Sequence, residues 1–221
     1  MVLHWEVPPE EWILSWVKLS VVFALTDPSW EEGPIYPGSV FGGNMAIRTR
    51  VFEAGYRFDS RLGPRGHWYA MCSETELTKR LSKAGFNSWH CKKAVVEHMV
   101  RKSQMTRRWI FRRALKFGRG MYRTDYQHEY ARRKKYWGVP RRLIKRAVKE
   151  GLGAAQAKLC GDRAKFFERR WELNHTLGQM IEAWLIHREL QSDSARHGSS
   201  RSDKFVNSVT NTWKAPKGLG G

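Results

Sequence analysis

The chain has 221 residues, of which 41% are hydrophobic and eleven are tryptophan, so it can bury a substantial core. This composition excludes a protein that is disordered throughout. The net charge of +19 is concentrated: residues 1–100 carry equal numbers of basic and acidic side chains, whereas residues 101–150 carry eighteen basic and three acidic ones. We therefore expect an anionic partner for residues 101–150: phosphate, nucleic acid or acidic lipid.

The cysteines and the N-terminal apolar run bear on location. Three cysteines without CxxC spacing argue against a disulfide framework or a structural zinc site and favour a reducing compartment. Residues 12–25 follow acidic side chains, unlike a signal peptide, and are too short to span a bilayer with Lys18 among them. We expect a cytoplasmic protein, and peripheral contact with the inner face of the membrane stays open.

Residues 1–37 are predicted to form a helix followed by a loop. The run Pro8-Pro9-Glu10-Glu11 opens a helix whose apolar residues share one face. Residues 21–25 either continue that helix or form a strand, since periodicity does not decide between them. Three pairs of proline with aspartate or glycine then predict loop over residues 26–39.

The second segment, residues 38–123, alternates strand and helix signals. Residues 40–47 are predicted to be a strand interrupted by glycines, where a ligand or another backbone can approach closely. A short helix over residues 51–54 should end at Gly55. Ser73-x-x-Glu76 has the form of a capping box, and the helix it begins should stop at Gly85. Two short strands are expected at residues 88–91 and 94–99.

After Ser103 the pattern is helical. Gly138-Val139-Pro140 should break one helix, and Gly151 and Gly153 should weaken another. Residues 124–190 are thus predicted to be a basic helical extension. Serine, glycine and charged residues dominate residues 191–221, which we expect to be a disordered tail.

Glu74 is the main candidate for chemistry. It lies two residues from Glu76 at a helix start, so the two side chains point in different directions. With Glu76 in the capping box, Glu74 would project freely and could act as a general base towards a hydroxyl. The alternative is that both are ordinary acidic residues favoured by the helix dipole.

Two further candidates are weaker when taken alone. His98 follows an apolar strand, where a histidine binds a metal or phosphate or is simply a hydrogen-bonded polar residue. The run Gly42-Gly43-Asn44 suits a bulge or turn as well as a strand that faces a substrate.

The order of these features resembles the C-terminal, acceptor-side half of family 2 glycosyltransferases, which have the GT-A fold. The resemblance covers residues 38–123 and is carried by an ordered series: Gly42-Gly43-Asn44, Gly55-Tyr56-Arg57-Phe58-Asp59, Leu62-Gly63-Pro64, Ser73-Glu74-Thr75-Glu76-Leu77, Arg80-Leu81-x-x-Ala84-Gly85 and Val95-x-x-His98. It implies an α/β fold class: a partial GT-A-like mixed sheet with flanking helices, followed by the helical basic extension.

The resemblance also implies roles. In that family a Glu-Asp pair begins the helix, and its aspartate deprotonates the acceptor hydroxyl; the matching positions here are Ser73 and Glu74. The base role thus falls on Glu74, one methylene longer than aspartate. His98 matches a histidine near the metal-diphosphate, and the Gly42, Gly43 and Asn44 positions match the strand beside the acceptor pocket. The implied reaction is inverting transfer from a nucleotide-sugar donor to a hydroxyl acceptor, with Mg²⁺ or Mn²⁺.

The chain departs from the family in one major respect. No Asp-x-Asp motif occurs, and the segment before Gly42 has no glycine-rich strand–helix turn for a nucleotide-binding βαβ unit. We expect a truncated chain, a separate partner that supplies the donor half, or lost catalysis. In each case the chain alone should bind nucleotide-sugars weakly.

The competing hypothesis is a non-enzymatic protein that binds anions through residues 101–150. Cationic residues recur every three or four positions over residues 107–123, with aromatic and aliphatic residues between them. This pattern fits a helix on an anionic membrane surface or a nucleic-acid contact. It equally fits a helix with a solvated basic face and an apolar face packed on the domain.

Overall fold

The protein is a mixed α/β chain in which helices predominate. The structure, a computed structural model, describes residues 1–126 and 134–197, with side chains as far as residue 193. Its elements in chain order are β1 Val2–Trp5, α1 Glu11–Trp16, α2 Leu19–Phe23, β2 Gly33–Ile35, α3 Thr49–Glu53, α4 Ser73–Lys83, β3 Ser88–His90, β4 Glu97–Val100, α5 Arg107–Asp125, β5 Lys135–Tyr136, β6 Val139–Pro140, α6 Arg141–Leu159 and α7 Arg163–His197.

The described strands form three separate pairs. β1 and β4 are parallel, with Val2 opposite Glu97 and Trp5 opposite Val100. β2 pairs with β3 and β5 with β6, both antiparallel. The α/β class is confirmed at this level, and a GT-A-like arrangement of the sheet stays a prediction.

The predicted strand at residues 40–47 is wrong. The chain forms a 3-10 turn at Gly42–Asn44, and the described residues offer this segment no partner strand. A hydrogen bond to a distant residue holds the turn in place: Asn44 Nδ2 donates to the Ala94 carbonyl at 2.7 Å. Two consecutive glycines also weaken a strand, since they lose the most backbone entropy on ordering.

The predicted capping box is also wrong. Helix α4 begins one residue earlier than the box requires: Ser73, which the box needs as the N-cap, is the first helical residue, and Cys72 precedes it in the left-handed conformation, with φ 75°. Glu76 instead accepts two hydrogen bonds from Arg80, at 2.7 and 2.9 Å. Ser73 Oγ donates to Glu74 Oε2 at 2.9 Å. Local side-chain pairing thus replaces the cap.

Several other boundaries agree with the sequence. The helix after residues 8–11 forms as α1, residues 19–23 continue as helix α2, and residues 26–39 are loop apart from β2 and a 3-10 turn. Helices α3 and α4 stop before Gly55 and Gly85, whose positive φ angles suit glycine. The second predicted strand, residues 94–99, is shifted to β4.

The helical prediction after Ser103 is confirmed, with two differences. The break predicted at residues 138–140 is present, because the chain forms the β5–β6 hairpin there, whereas α6 continues through Gly151 and Gly153 without interruption. Helix α7 extends to His197, beyond the predicted end at residue 190. The rest of the predicted tail, residues 198–221, lies outside the described residues.

Helix α5 is an internal packing element. It lies against α7, where a Cβ on Gly118 would overlap the His175 carbonyl and a Cβ on Gly178 would overlap that of Leu115. The main core joins α1, α2, β4, α5 and α7 through buried Ile13, Val17, Val22, Phe23, Val100, Met105, Ile110, Ala114, Phe167 and Trp171. Such a helix has its apolar face covered by the domain.

Several cationic side chains of α5 also make contacts within the protein. Arg119 Nε and Arg123 Nε donate to the two carboxylate oxygens of Glu182, at 2.8 and 2.5 Å. Arg107 lies over the rings of Trp12 and Trp16. Part of the positive charge of residues 101–150 therefore stabilises helix packing. Among the described residues, no helix combines the length and hydropathy needed to span a bilayer.

Candidate active-site cleft

A cleft of about 870 Å³ opens beside the N-terminus of α4. It is lined by residues from α2, the 3-10 turn, the first turn of α4, β4 and α5. Four of the five residues singled out in the sequence line it: Gly42, Gly43, Glu74 and His98. The fold thus brings together positions that are up to 56 residues apart in the chain.

Glu74 is held between the turn and its own helix. The Gly42 backbone lies so close to the carboxyl group that a Cβ on Gly42 would overlap Glu74 Oε1. Glu74 Oε2 accepts from Ser73 Oγ at 2.9 Å. A carboxylate has about four acceptor positions, so these contacts leave capacity for a ligand hydroxyl.

The start of α4 is fixed to α5. Met71 N–H donates to the Lys116 carbonyl at 3.2 Å. A Cβ on Gly120 would overlap the Met71 carbonyl, so a glycine is needed for this close approach. Burial raises the pKa of the adjacent Cys72 to about 12, which keeps it a thiol and excludes it as a nucleophile near neutral pH.

His98 lies on β4, and one of its two ring nitrogens already makes a hydrogen bond within the protein. Its Nδ1 is 2.7 Å from the Phe23 carbonyl oxygen, so Nδ1–H donates and Nε2 is left as an acceptor. Within residues 1–126 and 134–193, no group of three His, Cys, Asp or Glu side chains is arranged to hold a metal ion. These residues do not by themselves fit a resident metal, and His98 would be at most one ligand among others.

Gly43 and Asn44 have different surroundings. Gly43 lines the cleft, where a Cβ would lie 3.2 Å from Met1 Sδ. Asn44 does not line it and instead bonds to the Ala94 carbonyl. Asn44 therefore holds the turn in place, and Gly42 and Gly43 form the wall.

Arg113 is a cleft residue that the sequence did not single out. It extends from α5, and burial lowers its pKa from the ordinary value, although the Glu74 carboxylate favours its charged form. Its buried Nε has no hydrogen-bond partner among the described residues. Arginine stays protonated in such a site, so the cleft holds a positive charge next to Glu74. In the sequence, Arg113 is one of several cationic residues at three- to four-residue spacing, and this spacing does not show which of them faces the cleft.

Aromatic rings form part of the remaining wall. The aromatic residues that line the cleft are Trp30, Phe41, Tyr69 and Phe117. Apolar faces combined with a few converging polar groups are typical of small-molecule sites.

No protein-family model matches the chain, and no curated protein or solved structure matches it. The residues of the cleft are therefore the basis for assigning a function.

Proposed function

We propose that the cleft binds the hydroxyl acceptor of an inverting sugar transfer and that Glu74 takes the acceptor's proton. The observation that carries this proposal is that Gly42, Glu74 and His98 line one cleft, in the order and grouping that the glycosyltransferase resemblance requires. The aromatic lining supports a sugar or sugar-like acceptor. The carboxylate supplies the base.

The chemistry needs a single carboxylate. The acceptor oxygen attacks the anomeric carbon opposite the departing nucleoside diphosphate, so the new C–O bond forms as the bond to the diphosphate breaks. The hydroxyl proton passes to Glu74, and the electron pair of the broken bond leaves with the diphosphate. A well-placed general base contributes about 10²–10⁴-fold in rate.

The absence of a side chain at Gly42 leaves room for the Glu74 carboxylate. Because its backbone contacts the carboxyl group, a side chain at residue 42 would displace Glu74. Displacement by about 1 Å can cost roughly 10²-fold in rate. The glycine is thus a positioning residue for Glu74.

The donor side is assigned to a partner. The sequence has no Asp-x-Asp motif, and the described residues do not fit a resident metal. A separate donor-binding half would bring the nucleotide-sugar with Mg²⁺ or Mn²⁺ on its diphosphate. Arg113 would then offer the departing anion a positive charge. The chain alone should bind nucleotide-sugars weakly, and micromolar affinity by calorimetry would contradict this.

Ligand binding tests the cleft. Saturation-transfer NMR against a panel of mono- and disaccharides should detect binding to the wild-type chain. Gly42→Ala should weaken that binding because its Cβ displaces the Glu74 carboxylate, whereas Gly151→Ala, where a Cβ has open space, should preserve it. The proposal fails if no sugar binds, or if Gly42→Ala binds like the wild type.

Turnover tests the base. Release of nucleoside diphosphate from uridine or guanosine diphosphate-sugars would be followed with Mg²⁺ or Mn²⁺ present. Any transfer activity should fall about 10²–10⁴-fold in Glu74→Gln. Activity that this substitution leaves unchanged would remove Glu74 from the mechanism.

The alternative function is anion binding without catalysis. The sequence pattern indicated α5 as the binding helix, but the internal contacts of α5 favour α6 instead. Arg119 and Arg123 of α5 are engaged with Glu182, which reduces the charge α5 offers to an external partner. Among the described helices, α6 keeps the more exposed basic surface. An anionic membrane is supported better than nucleic acid, because apolar side chains accompany that charge.

A further inference from the structure

Helix α6 presents an apolar stripe to solvent. Val148, Leu152 and Leu159 are 57%, 68% and 88% exposed. At 100° per residue they fall within about 40° of one another on the helix surface. The opposite side of α6 packs on α7 through buried Leu143, Ala154 and Ala157. The stripe therefore faces away from the protein.

Positive charge lies along this stripe. Lys145 and Lys149 are exposed on one flank and Lys158 on the other. The one acidic residue of α6, Glu150, is buried and accepts from Arg169 at 2.8 Å. The outer face of α6 thus combines apolar and basic side chains without an acidic one.

Two aromatic residues extend the surface at the N-terminal end of α6. Trp137, at the turn of the β5–β6 hairpin, is 87% exposed, and Tyr136 precedes it. The Arg141 guanidinium lies over the Tyr136 ring at 5.2 Å, and residue 141 lies on the same side of α6 as the stripe. Tryptophan and tyrosine are enriched where a protein surface meets the lipid headgroup region.

We propose that the outer face of α6, together with Tyr136 and Trp137, binds an anionic lipid bilayer, with α6 lying parallel to the membrane plane. Amphipathic helices of this kind bury their apolar face at the headgroup boundary, while flanking lysines contact acidic headgroups. The proposal does not depend on the cleft.

Other occupants fit the surface less well. A second copy paired face to face would bring the lysine flanks together without an acidic group to offset them. Nucleic acid would neutralise the lysines but would leave Leu152 and Leu159 facing phosphates or solvent.

Vesicle flotation tests the proposal. The wild-type chain should float with vesicles of phosphatidylserine mixed with phosphatidylcholine, and not with phosphatidylcholine alone. Added salt should weaken binding by screening the lysines. The double variant Lys145→Gln/Lys149→Gln should bind about 25-fold more weakly, at roughly fivefold per lysine. Leu152→Ser/Leu159→Ser should lose at least about tenfold.

Matched variants control for general effects. Leu14→Ser changes an exposed leucine on α1, and Lys93→Gln/Lys102→Gln removes the same number of charges away from α6. Both should bind vesicles like the wild type, as should Glu74→Gln, so the membrane proposal can fail independently of the catalytic one.

Three results would overturn the proposal. The first is absence of binding to the acidic vesicles. The second is binding that the α6 variants and their controls weaken equally. The third is self-association or oligonucleotide binding that Leu152→Ser/Leu159→Ser abolishes while vesicle binding persists.

Discussion

Replacing Glu182 with glutamine tests whether the charge of α5 holds the helices together. Glu182 is 1% exposed and lies between Arg119 and Arg123, with both Nε atoms within 2.8 Å of its carboxylate oxygens. Glutamine keeps the shape but removes the charge, so two largely buried guanidinium groups lose their shared counter-ion. Removing one partner of a buried ion pair costs about 3–5 kcal/mol.

Glu189 provides the matched control. It also contacts Arg123, at 3.1 Å, but its side chain is 53% exposed. Because solvent screens such a pair, Glu189→Gln should cost less than about 1 kcal/mol. The two variants remove the same charge from the same helix and differ mainly in burial.

Urea denaturation followed by circular dichroism gives the free energy of unfolding of each variant. Glu182→Gln should lower it by about 3–5 kcal/mol and reduce Tm by roughly 6–20 °C for a chain of this size. If both variants cost the same, the buried pairs do not stabilise the packing of α5 on α7.

Three further predictions concern single residues. Burial lowers the pKa of His175 to about 4, so its imidazole stays neutral in the folded state but becomes protonated in the unfolded state below about pH 6.5. The free energy of unfolding should therefore fall by about 2 kcal/mol between pH 7 and 4.5. Urea titrations at both pH values should show that His175→Gln lacks this loss. Gly178→Ala should destabilise the protein by about 1–3 kcal/mol because its Cβ would overlap the α5 backbone. Gly151→Ala, whose Cβ has open space, should stabilise it by up to about 1 kcal/mol. Equal effects of the two substitutions would refute the close approach of α5 and α7 at Gly178. Cys72, buried with a raised pKa, should resist a thiol reagent at pH 8 while exposed Cys91 reacts, as counted by mass spectrometry.

Local features of the sequence predicted the helix ends well. Gly55 and Gly85 mark the ends of α3 and α4 because a residue with positive φ there is strongly favoured to be glycine. The position of Glu74 at a helix start, pointing away from Glu76, was also predictable from helix geometry. These features depend on a few neighbouring residues.

Other features depend on distant contacts. Whether residues 40–47 form a strand depends on a partner strand, and β1 finds its partner in β4 about 95 residues away. The role of Arg113 depends on which side of α5 contacts the start of α4. Glu76 fitted the capping box by spacing, but Arg80 competes for its carboxylate. Sequence spacing did not determine any of these outcomes.

The dissociation constant of a cleft-bound sugar in Glu74→Gln and Glu76→Gln tests the central claim most directly. NMR titration with the best-binding sugar of the panel would give the constant for each variant. Losing a charged hydrogen-bond acceptor costs about 1.5–3 kcal/mol, so Glu74→Gln should bind at least about tenfold more weakly. Glu76→Gln, whose carboxylate pairs with Arg80, should bind like the wild type. Equal affinity in Glu74→Gln and the wild type would contradict the account.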